Sequence, residues 1–193
     1  GASNPGVMRE EVGGGVFNAA RNAVQLGVSV AFLSVRGGDV QGEAVAQAIR
    51  AARIEDLSAT FLDRQTATYT AILDRHGDVI TALADMEIYE TALPRQISRR
   101  KTRDAIAAAN AILTDANMPA EAIGRLLTLA GDKPVFAIAI SPAKAIRFSG
   151  LLDQLHCLFL NSREASALAG DTAEALRELS NAGLKHAVMT NGG

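Results

Sequence analysis

Apolar residues along the first third of the chain follow two different periods. They recur at helical spacing from Val16 to Leu26 and from about Gln41 to Arg53, and the apolar run Ser29–Val35 stands between these segments. Spacings of three and four residues predict amphipathic helices, whereas a short continuous apolar run predicts a buried strand. With a short strand at Val7–Val12, this region therefore predicts the alternation of an α/β sheet.

The middle of the chain has the composition of strands. Residues 66–74 are rich in Thr, Tyr and Ile, residues 79–84 form a second apolar run, and Arg75-His76-Gly77-Asp78 separates them. β-Branched and aromatic residues favour strands, and a short polar segment containing Gly favours a hairpin loop. We expect a β-hairpin over residues 66–84, and together with residues 7–12 it would form a small β lid.

The α/β alternation resumes from Ile106 and continues to the end of the chain. Strands are predicted at 111–114, 135–140, 157–160 and 186–190, with helices at 119–130, from Ser162 onward, and at 172–182. Ligands of open parallel sheets bind beyond the carboxyl ends of the strands. The polar residues at those ends, Asn117, Ser141, Asn161 and Thr190, are therefore candidates for a site.

A glycine cluster, Gly13-Gly14-Gly15, immediately precedes the first predicted helix. Glycine allows the backbone to approach a ligand closely, and a helix N-terminus offers free N–H groups. Asn18 would add an amide that can both donate to and accept from a sugar hydroxyl. A plain turn before a core helix is the alternative. The third glycine of a dinucleotide-binding fingerprint is missing, which argues against a nicotinamide-dependent oxidoreductase.

Composition narrows the class of protein. The 193 residues carry a formal net charge of −2, with 48% hydrophobic and 21% charged residues, which is typical of a globular protein and argues against a dedicated nucleic-acid binder. We interpret the basic run 99–103 as a solvated helix face. No apolar run is long enough to span a membrane. A single cysteine, Cys157, permits no disulfide within the chain, and we expect a cytoplasmic protein.

Four motifs in this order resemble those of the ribokinase-like (PfkB-type) sugar kinases. They are Gly13-Gly14 with Asn18, Gly37-x-Asp39-x-x-Gly42, Asn161-x-x-Glu164 and Thr190-x-Gly192. Within this family the chain is most similar to the pseudouridine kinases. The residues that carry this second similarity are Ser3-Asn4-Pro5-Gly6, Thr68-Tyr69, Ala84-Asp85-Met86, Asp115-Ala116-Asn117 and Ser141-Pro142-Ala143-Lys144.

The resemblance implies a three-layer α/β/α fold with a mostly parallel central sheet and a small β lid. It implies ATP-dependent phosphorylation of a primary (5′) hydroxyl of a nucleoside or sugar, with pseudouridine as the expected acceptor and Mg²⁺ as a cofactor. A homodimer through the lid is expected. The implied substrate-binding residues are Gly13, Gly14, Asn18, Thr68, Asp85, Asn117 and Lys144. The implied nucleotide-side residues are Asn161, Glu164, Thr190 and Gly192, with Glu164 acting on Mg²⁺ through water.

The chain also departs from the family pattern. The glycine-rich G-A-G-D loop, whose Asp is the family's general base, does not occur before the chain stops at Gly193, and the first strand with its sugar-binding Asp is missing. We therefore expect residues 1–193 to be a single incomplete ribokinase-like domain without the C-terminal nucleotide-binding part, inactive alone. The alternative is a non-catalytic module for nucleoside or sugar binding or for dimerisation.

Four of the candidate residues have simpler structural explanations. Asn161 and Glu164 have the spacing of a helix capping box. Asn117 lies two residues before Pro119, where Asn often serves a turn. Lys144 is also compatible with an exposed helix position. The sequence alone leaves both explanations open for each of them.

Overall fold

Parallel strands form most of the sheet structure, and the computed structural model describes residues 6–170 and 174–191. The strands are β1 (Ala31–Phe32), β2 (Val35–Gly37), β3 (Glu55–Asp56), β4 (Ala59–Phe61), β5 (Thr68–Leu73), β6 (Val79–Asp85), β7 (Ile112–Asp115), β8 (Val135–Ile138), β9 (Cys157–Asn161) and β10 (Ala187–Thr190). The largest sheet has the parallel order β10–β9–β8–β7, while β1 pairs with β3 and β2 with β4, also in parallel. The expected mostly parallel α/β architecture is confirmed.

Helices connect these strands throughout the described residues. They are α1 (Gly15–Gln25), α2 (Val40–Ala51), α3 (Glu87–Ile97), α4 (Arg100–Ala108), α5 (Ala120–Ala130), α6 (Pro142–Ala145), α7 (Ser162–Ala169) and α8 (Ala175–Asn181), with 3₁₀ turns at Ile146–Phe148 and Leu152–Gln154. The four basic residues of the run 99–103 are exposed at the start of α4, as expected for a solvated helix face, whereas Thr102 between them is buried.

The main core lies between the four-stranded sheet and its helices. Val135 and Leu158 from the sheet are buried together with Ile123 of α5 and Leu179 of α8. Phe148, from a 3₁₀ turn, is completely buried in the same cluster. Removing such side chains from water stabilises the fold by about 1.5–3 kcal/mol each. The core therefore fixes the strands β7–β9, whose carboxyl ends lead to the candidate residues Asn117, Lys144, Asn161 and Glu164.

The hairpin of β5 and β6 is antiparallel, as predicted, with Thr68 opposite Asp85. Its strands are exposed over nearly their whole length, including Tyr69 at 61% and Leu83 at 73% of full exposure. A two-stranded hairpin is only marginally stable by itself in water. In this chain its ends are attached to packed segments, while its apolar side chains remain open to solvent.

Two sequence predictions need correction, and a third lies partly outside the described residues. Residues 7–12 do not form a lid strand, since residues 6–14 have no regular structure and Val7 is 88% exposed. The reason is that a strand needs a hydrogen-bonded neighbour, and β6 offers residues 7–12 no pairing. The single strand expected at 29–35 is two strands, β1 and β2, which pair with different partners. The helix expected at 172–182 corresponds to α8, which begins at Ala175 with Glu174 as its N-cap, and residues 171–173 lie outside the described part.

Candidate functional site

A cleft lies at the carboxyl end of β7, where α1, α3 and the β7–α5 loop meet. Its lining includes Gly13, Gly14, Tyr89, Asp115 and Asn117. Three of these are residues that the sequence predicted for substrate binding. The position agrees with the general rule that parallel sheets bind ligands beyond the carboxyl ends of their strands.

The glycine turn before α1 adopts a backbone conformation and a close approach to the sheet that side chains would hinder. Gly14 has φ of 116° and is the N-cap of α1, a conformation that side chains disfavour. A Cβ on Gly15 would lie 3.1 Å from Cδ1 of Ile140, so the helix start packs closely against the segment that follows β8. The turn therefore places free N–H groups of α1 beside the end of the sheet.

Asn117 is the centre of a hydrogen-bond network in the cleft. Its side-chain Nδ2 donates to Asp115 Oδ2 at 3.1 Å, and its backbone N–H donates to Asp115 Oδ1 at 2.9 Å. Lys144 Nζ donates to Asn117 Oδ1 at 2.5 Å. The network fixes which way the Asn117 amide points and places Lys144 beside it, although Lys144 itself is not among the residues that line the cleft. The turn role considered for Asn117 is therefore present, together with its contact to Lys144. Lys144 is half-buried and does not occupy the exposed helix position that was the alternative.

Arg147 and Glu90 extend this network to α3. Arg147 Nη1 donates to the backbone oxygen of Asn117 at 3.2 Å, and Nη2 donates to Glu90 Oε1 at 2.6 Å. The sequence predictions omitted Asp115, Arg147, Glu90 and Tyr89. The position of Asp115 at a strand end was a usable signal, whereas the contact between Arg147 and Glu90 joins residues 57 positions apart.

Burial dominates the electrostatics of the network. It raises the pKa of Asp115, and hydrogen bonds from Asn117 and the charge of Lys144 only partly counter this effect. The pKa of Lys144 is lowered, first by burial and then by the charge of Arg147. Burial and the nearby Asp115 also raise the pKa of Tyr89. Shifts of this kind occur where charged groups are held out of water, which is common at functional sites.

A strained turn joins β8 to the segment that carries Lys144. Ile140 has φ of 69°, and Ser141 N–H donates to Ala139 O at 2.8 Å, which closes a turn of three residues around Ile140. Positive φ at a β-branched residue costs about 1–3 kcal/mol and persists only where the surrounding structure enforces it. Here the Ile140 side chain packs beside Gly15, at the start of α1.

Three further predicted substrate residues, Asn18, Thr68 and Asp85, also lie outside the cleft lining. Asn18 is exposed and its Oδ1 accepts from Arg21 Nη2 at 2.7 Å. Thr68 and Asp85 face each other across the hairpin, and both are exposed. Their roles in substrate binding stay predictions.

The predicted nucleotide-side residues come together at the ends of β9 and β10. Asn161 Oδ1 accepts from Glu164 N–H at 3.0 Å, and Glu164 Oε2 accepts from Asn161 N–H at 2.8 Å, so the capping box is present. Thr190 pairs with Asn161 in register. Glu164 is buried. Gly192, the fourth predicted residue on this side, lies outside the described residues. Across residues 6–170 and 174–191, no group of three or more His, Cys, Asp or Glu residues could hold a metal ion.

The motif Gly37-x-Asp39-x-x-Gly42 forms a separate polar cluster. Asp39 accepts hydrogen bonds from Gly42 N–H at 2.7 Å, from Thr66 N–H at 2.7 Å and from the Thr66 hydroxyl. Gly37 N–H donates to Thr66 Oγ1 at 2.9 Å. The cluster connects β2 and α2 to the segment that leads into the hairpin, and none of its members lines the cleft.

Among the described residues, none belongs to a helix with the length and apolar character needed to cross a bilayer.

Comparison with known proteins identifies relatives of the whole chain. A family model described as pfkB family carbohydrate kinase matches residues 2–193. A sugar kinase of Escherichia coli, YeiI, is 34% identical over 81% of this chain and 43% of its own. A pseudouridine kinase of Escherichia coli is 29% identical over 99% of this chain and 63% of its own. The matched part of the chain thus spans 43% and 63% of the length of these two curated relatives.

Solved structures agree with the architecture. A carbohydrate kinase from Agrobacterium tumefaciens has 48% sequence identity and a TM-score of 0.89, covering 100% of this chain and 63% of its own. Ribokinases share the fold at identities of 18% or less. The expected ribokinase-like fold is confirmed.

Proposed function

The chain belongs to the PfkB family of carbohydrate kinases, and from this premise we propose that it binds the acceptor in phosphoryl transfer from ATP to a primary (5′) hydroxyl of a nucleoside or sugar, most specifically pseudouridine. The observation that carries the proposal is the network of Asp115, Asn117 and Lys144 beside the Gly13-Gly14 turn. Phosphoryl transfer depends mainly on positioning and on charge stabilisation, and a pre-oriented polar cleft serves that purpose.

The charges of the cleft favour an uncharged acceptor. The negative charges of Asp115 and Glu90 are matched by the positive charges of Lys144 and Arg147. Arg147 and Glu90 form a salt bridge with each other, with 2.6 Å between Nη2 and Oε1. A substrate that already carried a phosphate would find no excess of positive charge here. A nucleoside or free sugar instead needs donors and acceptors for hydroxyl and carbonyl groups. Lys144 and the Asn117 amide retain donors that their present partners do not use.

In this proposal ATP and Mg²⁺ bind at the carboxyl ends of β9 and β10, on the side of the sheet away from β7. Glu164 is buried at 5% of full exposure, with Oε2 engaged by Asn161 N–H. A single fixed carboxylate fits Mg²⁺ held through water better than a direct protein cage, because Mg²⁺ retains several of its waters. Asn161, Thr190 and Gly192 would contribute to the same side, and bound Mg²⁺ would neutralise phosphate charge.

A coupled assay of ADP release tests the proposal. Pseudouridine, uridine, adenosine and ribose are compared as acceptors, and calorimetry measures the binding of each without ATP. We expect the tightest binding with pseudouridine and, because residues 1–193 are expected to be inactive alone, no ATP consumption by them. ATP consumption that depends on pseudouridine would show that these residues are active, and would exclude the non-catalytic module. Absence of binding by every acceptor would contradict the proposal.

Homodimerisation through the hairpin is the second part of the proposal. Leu83, Ile80 and Tyr69 expose apolar surface on a hairpin whose edges have unpaired backbone groups. Leu83→Lys should therefore shift the dimer to a monomer in analytical ultracentrifugation. The control is Leu26→Lys, because Leu26 is a similarly exposed leucine at the C-cap of α1, outside the hairpin. A monomeric wild-type protein would contradict this part. The cytoplasmic location indicated by the single cysteine stays a prediction.

A further inference from the structure

One guanidinium connects two segments that the acceptor proposal treats separately. Arg147, in the 3₁₀ turn after α6, donates through Nη1 to Asn117 O at 3.2 Å and through Nη2 to Glu90 Oε1 at 2.6 Å. Asn117 belongs to the cleft, and Glu90 belongs to α3. The planar fork of arginine permits two such contacts in fixed directions, which the single ammonium of lysine does not.

The helix that Arg147 reaches is the root of the hairpin. Strand β6 ends at Asp85, and α3 begins at Glu87, so only Met86 separates them. The segment before β5 is attached to the same helix, because Arg64 Nη1 donates to Thr91 Oγ1 at 2.6 Å. The first turns of α3 are thus connected to both ends of the hairpin, covalently to β6 and through the Arg64–Thr91 hydrogen bond to the segment before β5.

We propose that Arg147 is a positioning residue that couples the hairpin to the acceptor cleft. It holds the Asn117 loop and the root of the hairpin in one relative arrangement. Occupation of the cleft at Asn117 and Lys144 then favours one position of the hairpin, and that position of the hairpin favours a bound acceptor. Such coupling is reciprocal by thermodynamic necessity. The inference rests on the proposed acceptor site, and Arg147 itself makes none of the predicted substrate contacts.

An ordinary surface ion pair is the competing explanation. Glu90 is 46% exposed and Arg147 23% exposed, and pairs of this kind often contribute less than about 1 kcal/mol to stability. Stability alone therefore cannot distinguish the two explanations. The distinguishing quantity is how far a bound acceptor protects the hairpin from hydrogen exchange.

The test uses pseudouridine as the probe and two variants that interrupt the connection differently. Arg147→Met removes both contacts, while Glu90→Gln weakens only the contact to α3 and leaves the Asn117 contact in place. Arg125→Met is the control, because Arg125 forms an exposed pair with Glu121 on α5 and contacts α3 only at its C-cap, Ser98, at the end away from the hairpin. Calorimetry gives the affinity, hydrogen exchange over residues 68–85 gives the protection of the hairpin, and urea unfolding checks that each variant is folded.

In the wild-type protein we expect pseudouridine to slow exchange in the hairpin. Arg147→Met should bind pseudouridine about tenfold more weakly and lose that protection, and Glu90→Gln should lose most of the protection with a change in affinity of about threefold. Arg125→Met should match the wild type in both measurements.

Two other outcomes are informative in different ways. If the wild type binds pseudouridine and both Arg147→Met and Glu90→Gln retain its affinity and hairpin protection, the coupling is overturned and the proposed function stands. If Arg147→Met does not fold, Glu90→Gln alone decides between these results. If the wild type binds none of pseudouridine, uridine, adenosine and ribose, the proposed function fails, and the coupling fails with it.

Discussion

Asp39 and Asp115 are the centres of two polar clusters with opposite character. Hydrogen bonds from Thr66 and Gly42 occupy Asp39, and although burial acts in the other direction, they lower its pKa. Asp115 accepts hydrogen bonds from Asn117, yet burial dominates and raises its pKa. The Asp39 carboxylate uses its hydrogen bonds to hold segments of the fold together. The Asp115 carboxylate lines the cleft instead.

The comparison shows that a family motif and a binding site need not coincide. The Asp39 cluster carries one of the four motifs, but its contacts join β2, α2 and residue 66. The Asp115 cluster lies in the cleft, and two of its residues, Asp115 and Arg147, were not selected from the sequence. Changes at the first cluster should therefore affect stability, and changes at the second should affect ligand binding.

The largest effect is expected for Gly42→Ala in the Asp39 cluster. A Cβ at this position would lie 2.2 Å from Gly37 O, so the backbone would have to move. We expect a loss of about 3 kcal/mol or more in the free energy of unfolding, measured with urea. Gly124→Ala on α5 is the matched control, since nothing lies within 4 Å of the added Cβ and alanine favours the helix. Equal stability of the two variants would show that the cluster is not tightly packed.

Asp39→Asn should lower stability without changing ligand affinity. The amide retains the shape of the carboxylate, but its nitrogen cannot accept the hydrogen bond that Thr66 N–H or Gly42 N–H now donates. We expect a loss of about 1–3 kcal/mol in the free energy of unfolding. Calorimetry of the folded variant with pseudouridine should give the wild-type affinity. A large change in affinity would place Asp39 in the binding site instead.

Asn117→Ala should show the opposite result. The substitution removes the acceptor of Lys144 and one donor to Asp115 in the cleft. We expect pseudouridine to bind about ten- to a hundredfold more weakly, while the urea midpoint changes little. Asn22→Ala, an exposed amide on α1, controls for the loss of an amide in general. A variant that binds normally would remove Asn117 from the acceptor site.

The smallest expected effect is a pair of opposite pH dependences. Because the folded pKa of Asp39 is lowered, its contribution to stability is present above the unfolded value and is lost as pH falls through the folded pKa. Because the folded pKa of Asp115 is raised, its ionisation costs stability as pH rises from the unfolded value through the folded pKa.

The two asparagine variants isolate these contributions. Relative to wild type, Asp39→Asn should be most destabilised at neutral pH, whereas Asp115→Asn should gain in relative stability as pH rises above about 4. Urea unfolding at several pH values measures both differences. Slopes of the same sign would contradict the contrast between the clusters.

The sequence predicted those parts of the fold that local patterns determine. The hairpin at 66–84 and the strands β7–β10 follow from composition and from continuous apolar runs. The strand expected at 7–12 failed because its existence depends on a partner elsewhere in the chain. Helix α3 was missed although Ile88, Ala92 and Leu93 have helical spacing, since Pro94 lies within it.

The candidate site was predictable only in part for the same reason. Asn117 and Lys144 were identified from motifs, and the structure brings them within 2.5 Å of each other. The roles of Arg147 and Glu90 depend on a contact between distant segments, and no local pattern encodes such a contact. Burial, which shifts the pKa of Asp115, is likewise a property of the assembled fold.

The strained turn at Ile140 has a consequence for laboratory evolution. Gly or Asn at this position would adopt the same positive φ with less strain, so selection for heat resistance should find these replacements early. The same replacements would remove the side chain that packs beside Gly15 and would loosen the segment that carries Lys144. A trade-off between thermal tolerance and binding of the proposed acceptor would then be concentrated at one residue, and libraries randomised at Ile140 would reveal it as two separate populations of variants.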